Sequence, residues 1–275
     1  MDICVRKPWV VTCSEDKSIC IWNYLTKKLE IVKYFNNAIY SVSFHPSGLH
    51  ILGGFEDKLK LLNVLMDDIE PYKDFHIVRS CRECRFSNGG HIFAAVNGDK
   101  IHIYSTYSGE LLSILRGHNQ KIRSLYFNLN DTSLVSAGAE GAVYEWSMFS
   151  FSRIQEHVNR QCPLNTAIIT KDHKIYCTGN TPLLNEIMDS QLEKEMDTGG
   201  MEITRLIISH LPQRMVFAST VNGLIRSMKF PLTTDHLDYV GHLGRIERYY
   251  VVRQFYVILL KHDQRCFSTS KMFKM

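Results

Sequence analysis

Asp16-Lys17-Ser18-Ile19-Cys20-Ile21-Trp22-Asn23 and Glu140-Gly141-Ala142-Val143-Tyr144-Glu145-Trp146-Ser147 are two copies of one pattern: an acidic residue, a small turn, an alternating strand and a tryptophan. Weaker copies place Leu62, Tyr104, Ile187, Met228 and Thr269 where the tryptophan stands. From Trp22 to Thr269 the steps are 40, 42, 42, 41, 41 and 41 residues. A near-constant period of this size marks an array in which each repeat is one supersecondary unit.

A second series runs in register with the first. Ile39/Val42/Phe44, Cys81/Cys84/Phe86, Ile122/Leu125/Phe127, Leu164/Ala167/Ile169, Ile203/Leu206/Ile208 and Ile246/Tyr249/Val251 share the spacing I-x-x-Φ-x-Φ, with Φ apolar. The last two of each set alternate, which buries one face of a strand. Turn chemistry follows in His45-Pro46-Ser47-Gly48, Ser87-Asn88-Gly89-Gly90 and Asn128-Leu129-Asn130-Asp131, where Gly, Pro, Asn and Asp suit tight turns. Each unit then reads as four short antiparallel strands. Such a sheet cannot bury both faces alone, so its neighbours must stack on it. The expected fold is all-β: a β-propeller of WD type with about seven four-stranded blades, ending near residues 22, 62, 104, 146, 187, 228 and 269.

The WD signature joins a Gly-His pair, a turn Asp and the Trp, and here it is eroded. Gly117-His118 and Gly241-His242 carry the histidine, Asp16 and Asp263 the turn acid (Glu140 replaces it in the fourth unit), and Trp22 and Trp146 the indole. Beyond this general pattern, Ile3 to Pro8, Ser80 to His91, Phe93 to Gly98 and Glu140 to Trp146 resemble the second propeller of the cilia- and flagella-associated protein 57 family. The resemblance runs over roughly residues 1 to 230 and is most specific from Cys81 to Gly98. It implies a structural and regulatory role in the axoneme of motile cilia, near inner-arm dyneins and the nexin–dynein regulatory complex, with localisation in the cytoplasm, cytoskeleton and cilium. The family carries a further propeller before this region and a coiled coil after it, so the chain reads as a short isoform, a paralogue or a partial sequence. A general WD adaptor in another multiprotein assembly is the alternative reading.

The whole chain, 1–275, is expected to form a single propeller, with 241–275 a diverged last blade. The first unit is expected to begin at its second strand, and Ser270 to Met275 to supply the strand it lacks.

With 45% apolar residues the chain can bury a core, and its formal charge of +4 shows no basic stripe of the kind nucleic-acid binders carry. Met1-Asp2-Ile3-Cys4 lacks the basic start and long apolar stretch of a secretory signal, so none is expected, and Val251 to Leu260 is too short to span a bilayer. Eight scattered cysteines fit free thiols in a reducing compartment. These readings predict a soluble intracellular protein without membrane or nucleic-acid partners, metal or cofactor. Cys81-x-x-Cys84 is the one motif with a redox or zinc alternative, but no second pair completes four zinc ligands. The repeat also aligns these thiols with the core positions Ile122 and Leu125. His45 and His91 are expected to be exposed in turns. No catalytic motif or constellation is present, so an enzyme is not expected.

Recognition is expected at the loops leading into the innermost strands, on the rim of the narrow face. Tyr40, Ser80, Arg82, Lys121, Arg123, Asn165, Glu202, Thr204, Arg245 and Glu247 occupy those positions, and Arg and Tyr are favoured interface anchors. The sector Arg82–Lys121–Arg123 is the expected docking patch for protein partners such as dynein components. Seven basic residues after Gly241 against two acidic ones offer a second attraction, for the acidic surface of microtubules.

Overall fold

A computed structural model describes residues 1–4, 6–159, 162–209, 215–229, 236–240, 246–252 and 256–261. Every regular element among them is a β-strand. Six sheets have four strands each, all antiparallel and in chain order from one edge to the other. A seventh pairs Ile246–Val252 with Tyr256–Lys261. Among the described residues no helix is long and apolar enough to cross a membrane.

The innermost strand of each sheet is the first in sequence: Asp2–Ile3, Ile39–Phe44, Cys84–Phe86, Ile122–Phe127, Leu164–Ile169, Ile203–Ser209 and Ile246–Val252. Each lies beside the next, and Ile246–Val252 lies beside Asp2–Ile3, so the strands follow one another around a circle. The tryptophan series falls in the third strand of each of the six blades, as the period requires. Thr269 lies outside the described residues.

The first blade corrects one expectation. Its inner edge is already filled, because Asp2–Ile3 pairs with Trp9–Cys13 (Asp2 opposite Val11, Ile3 opposite Val10). The Asp2 carboxylate holds this short strand by accepting the Phe44 N–H at 2.7 Å and the Ser43 hydroxyl at 2.8 Å from the second blade. The expected deficit does not exist, and Ser270 to Met275, proposed to fill it, lie outside the described residues. The apolar series extends back to Met1 and Ile3, 41 residues before Val42 and Phe44.

Blades stack through apolar faces and through repeated polar clasps. One core cluster joins Ile92, Ala94, Val96, Ile101 and Ile103 of the third blade to Ile122, Leu125, Phe127 and Trp146 of the fourth. Another joins Cys81, Cys84 and Phe93 of the third blade to Leu52, Leu61 and Phe75 of the second. At the perimeter the outermost strand of one blade reaches the last turn of the next. Lys33 pairs with Asp68, Lys73 donates to the Ser108 carbonyl, and Gln155 accepts the Ser190 N–H. Near the axis, the hydroxyls of Ser43 and Ser124 accept backbone N–H groups of Phe86 and Ala167 on the following blade. Gly54 permits a close approach of the second blade to the third: a Cβ there would stand 2.3 Å from both the Cys81 carbonyl and the Ser41 hydroxyl.

Candidate interaction surface

Five innermost strands share a register shift at their start, between Ile39 and Ser41, Ile122 and Ser124, Leu164 and Thr166, Ile203 and Arg205, and Ile246 and Arg248. A bulge leaves one residue out of the ladder and re-aims its side chain. The skipped residues are Tyr40, Arg123, Asn165, Thr204 and Glu247, all of them expected rim positions. Arg82 holds the matching place before Cys84–Phe86.

The described rim residues form a linked girdle. The Arg82 guanidinium lies over the Tyr40 ring, 5.1 Å from its centroid. Arg123 Nη1 donates to Asn165 Oδ1 at 2.7 Å, and Asn165 Nδ2 donates to the Ile203 carbonyl at 3.1 Å and to Glu202 Oε1 at 3.5 Å. Ser80, Arg82, Lys121 and Arg123 are exposed, while Tyr40, Asn165 and Glu202 are half-buried. Thr204 departs from the expectation. It is buried, with its hydroxyl bonded to Ser219 Oγ at 2.6 Å, because the β-branched residue satisfies its oxygen within its own sheet instead of facing solvent. Arg245 and the side chain of Glu247 lie outside the described residues.

One feature of the axis is absent from the sequence reading. Glu83 of the third blade and Arg205 of the sixth, 122 positions apart, form an ion pair with Nη2–Oε2 at 2.8 Å. The Glu83 side chain is only 4% exposed. Glu83 falls where Ser41 and Ser124 stand in the neighbouring repeats, one residue before Val42, Cys84 and Leu125, so its place at the axis was readable; the partner across the ring was not, since a period relates neighbours and not opposite blades.

The WD hydrogen-bond network is complete in the fourth blade. Trp146 Nε1–H donates to Ser136 Oγ at 2.9 Å, Ser136 Oγ meets His118 Nε2 at 2.7 Å, and His118 Nδ1 bonds to the Glu140 carboxylate. These contacts are all satisfied by one neutral tautomer: Nδ1–H donates to Glu140, and the Ser136 hydroxyl donates to Nε2. Burial pulls the His118 pKa below its ordinary value more strongly than Glu140 raises it. The first blade keeps a fragment. Trp22 Nε1–H donates to Thr12 Oγ1 at 3.2 Å, and Asp16 accepts the Ser18 N–H and hydroxyl. His242 and Asp263 lie outside the described residues.

His45 corrects another expectation. It is buried, not exposed: Nδ1 accepts the Ser47 N–H and Nε2 meets the Gly90 carbonyl at 3.1 Å, tying the second blade to the third. Burial lowers its pKa. His91 is exposed. Cys81 and Cys84 sit in the core between the same two blades, and burial raises the Cys84 thiol well above its ordinary value. A reactive thiol shows the opposite shift. Among the described residues no three His, Cys, Asp or Glu side chains gather at metal-binding distance.

The WD domain, G-beta repeat family matches residues 1–23 and 109–147, the two segments that end on the tryptophans. Across 99% of the chain, residues are 44% identical to "Cilia- and flagella-associated protein 57" of Mus musculus. This chain is a WD-repeat propeller that matches one part of cilia- and flagella-associated protein 57. "Cilia- and flagella-associated protein 57 A" and "57 C" of Tetrahymena thermophila are 30% and 29% identical over 90% and 88% of the WD-repeat chain. The chain spans about a fifth of the length of these curated relatives (22%, 22% and 21%). The likeness extends past the two segments of the repeat match, through blades whose tryptophan is Leu62, Tyr104, Ile187 or Met228.

Proposed function

We propose that the chain is a non-catalytic interaction platform of the motile-cilium axoneme, supporting the assembly or regulation of inner-arm dynein, with residues 241–275 completing its last blade. The observation that carries this reading is the 44% identity along nearly the whole chain to a protein whose name places it with cilia and flagella. The surface supports it: the side chains offered at the rim are Arg, Lys and Tyr, suited to protein contact, and they rest on blades held rigid by stacking. The partners follow as axonemal proteins, dynein components and the microtubule among them.

Expression of the tagged chain in multiciliated cells tests the reading. Signal along the axoneme that resists detergent extraction is expected. A diffuse cytoplasmic signal, with cilia unlabelled, contradicts it and favours a general adaptor.

A further inference from the structure

We propose that the rim of the third and fourth blades is a docking site for an extended acidic peptide segment, read by Arg82, Lys121 and Arg123. This rests on the platform reading and names the chemistry of its partner. Among the described residues, none of the three is paired with a carboxylate, although each is exposed and the ion pairs elsewhere on the molecule are numerous. Arg82 and Arg123 are instead pre-positioned by neutral partners, the Tyr40 ring and the Asn165 amide. A guanidinium so held keeps its charge and its remaining N–H donors for a ligand, and loses little freedom on binding. At the axis beside them, Glu83 is already engaged with Arg205, and Glu202 meets the girdle through Asn165 and not through Arg123 itself.

The spacing selects an extended segment. Arg82 and Arg123 stand at equivalent positions of adjacent blades, whose innermost strands bring Cα atoms within 8 Å of each other. The two guanidinium groups diverge, one over Tyr40 of the second blade and the other on Asn165 of the fifth, so an extended segment running along the rim, whose alternate side chains repeat on one face about every 7 Å, can offer a carboxylate to each in turn. Nucleic acid fits less well. A net charge of +4 and a patch of three cations do not make the long basic track that a phosphate backbone requires.

The probe is a fluorescent alternating Glu-Gly octapeptide, with a Gln-Gly octapeptide as control, titrated with the full 275-residue chain at low and at physiological salt. The Glu peptide is expected to bind at low salt, to weaken several-fold as salt is raised, and to lose at least tenfold in R82E/R123E. K171E, an exposed change on a remote turn, should leave binding unaltered, and the Gln peptide should not bind. Thermal melts of each variant confirm folding, and R82Q/R123Q replaces the reversal should that variant fail to fold. Binding that is absent at low salt, or equal in wild type and R82E/R123E, overturns the proposal. So does tighter binding of an oligouridylate through the same arginines, which would assign the patch to RNA. Failure here with axonemal localisation intact removes the acidic ligand but leaves the platform reading standing; loss of localisation removes that reading whatever the peptide does.

Discussion

In the fourth blade an indole, a hydroxyl, an imidazole and a carboxylate depend on one another, and the other blades show what replaces them. The strand register places Gly53, Ala95, Cys177 and Ala218 where Ser136 stands, in the blades whose tryptophan position holds Leu62, Tyr104, Ile187 and Met228. None of the six described four-stranded blades keeps the hydroxyl without the indole, since a buried hydroxyl lacking its partner costs more than an apolar residue of similar size. Ser136→Ala should therefore lower stability by about 1–3 kcal/mol for each polar group it strands, Trp146 Nε1 and His118 Nε2. Thr12→Ala, beside a partly exposed Trp22, should cost less than about 1 kcal/mol. Urea denaturation of the two variants checks the contrast. The histidines add a pH dependence. His45, His102 and His118 are each held below the ordinary value, chiefly by burial, so folding favours their neutral forms. That stability is fully present above about pH 6.5, the unfolded value, and is lost as pH falls through the lower folded values. Urea midpoints should drop from pH 7.5 to 5.5, with a shallower slope in H118Q; parallel slopes would contradict the assignment to His118.

At the scale of strands and turns, much of the architecture was legible, because both apolar series carry the period and the strands that hold them are short. The rim was legible for the same reason: Tyr40, Arg82 and Arg123 follow the first member of each apolar set, and a bulge leaves Tyr40 and Arg123 out of the ladder. What escaped was polar and tertiary. His45 lies in a turn by sequence, yet its ring is buried by the neighbouring blade and bonded to Gly90, a contact 45 positions away. Asp2–Ile3 is too short to announce itself as a strand and is held by its carboxylate on Phe44 and Ser43. Asp131 makes a similar clasp, accepting N–H groups from Asn88 and Gly89 of the preceding blade, the second at 2.6 Å. Asp131→Ala should cost about 1–3 kcal/mol, as hydrogen bonds to a charged group do. Asn, which also tolerates the positive φ of 57° at this position, should recover part of it. Equal melting temperatures for wild type and D131A would show that the clasp adds nothing to stacking.

For the whole molecule, stacking around a circle leaves the axis and the rim to be specified by side chains. The Glu83–Arg205 pair ties the third blade to the sixth, where neighbour-to-neighbour contacts cannot. In a double-mutant cycle of E83Q, R205M and the pair of changes, the coupling should exceed about 1 kcal/mol, and strictly additive losses would reduce the pair to coincidence. Axis and rim differ in kind: the axis carries a largely buried ion pair across the ring, and the rim carries exposed cations. The measurement that bears most directly on this account is proximity labelling in ciliated cells with wild type and R82E/R123E, expressed equally and shown to melt alike. Wild type is expected to label a discrete set of axonemal proteins, and the reversed variant to lose that set. An unchanged set of labelled proteins in the reversed variant, or no axonemal labelling by wild type, would contradict it.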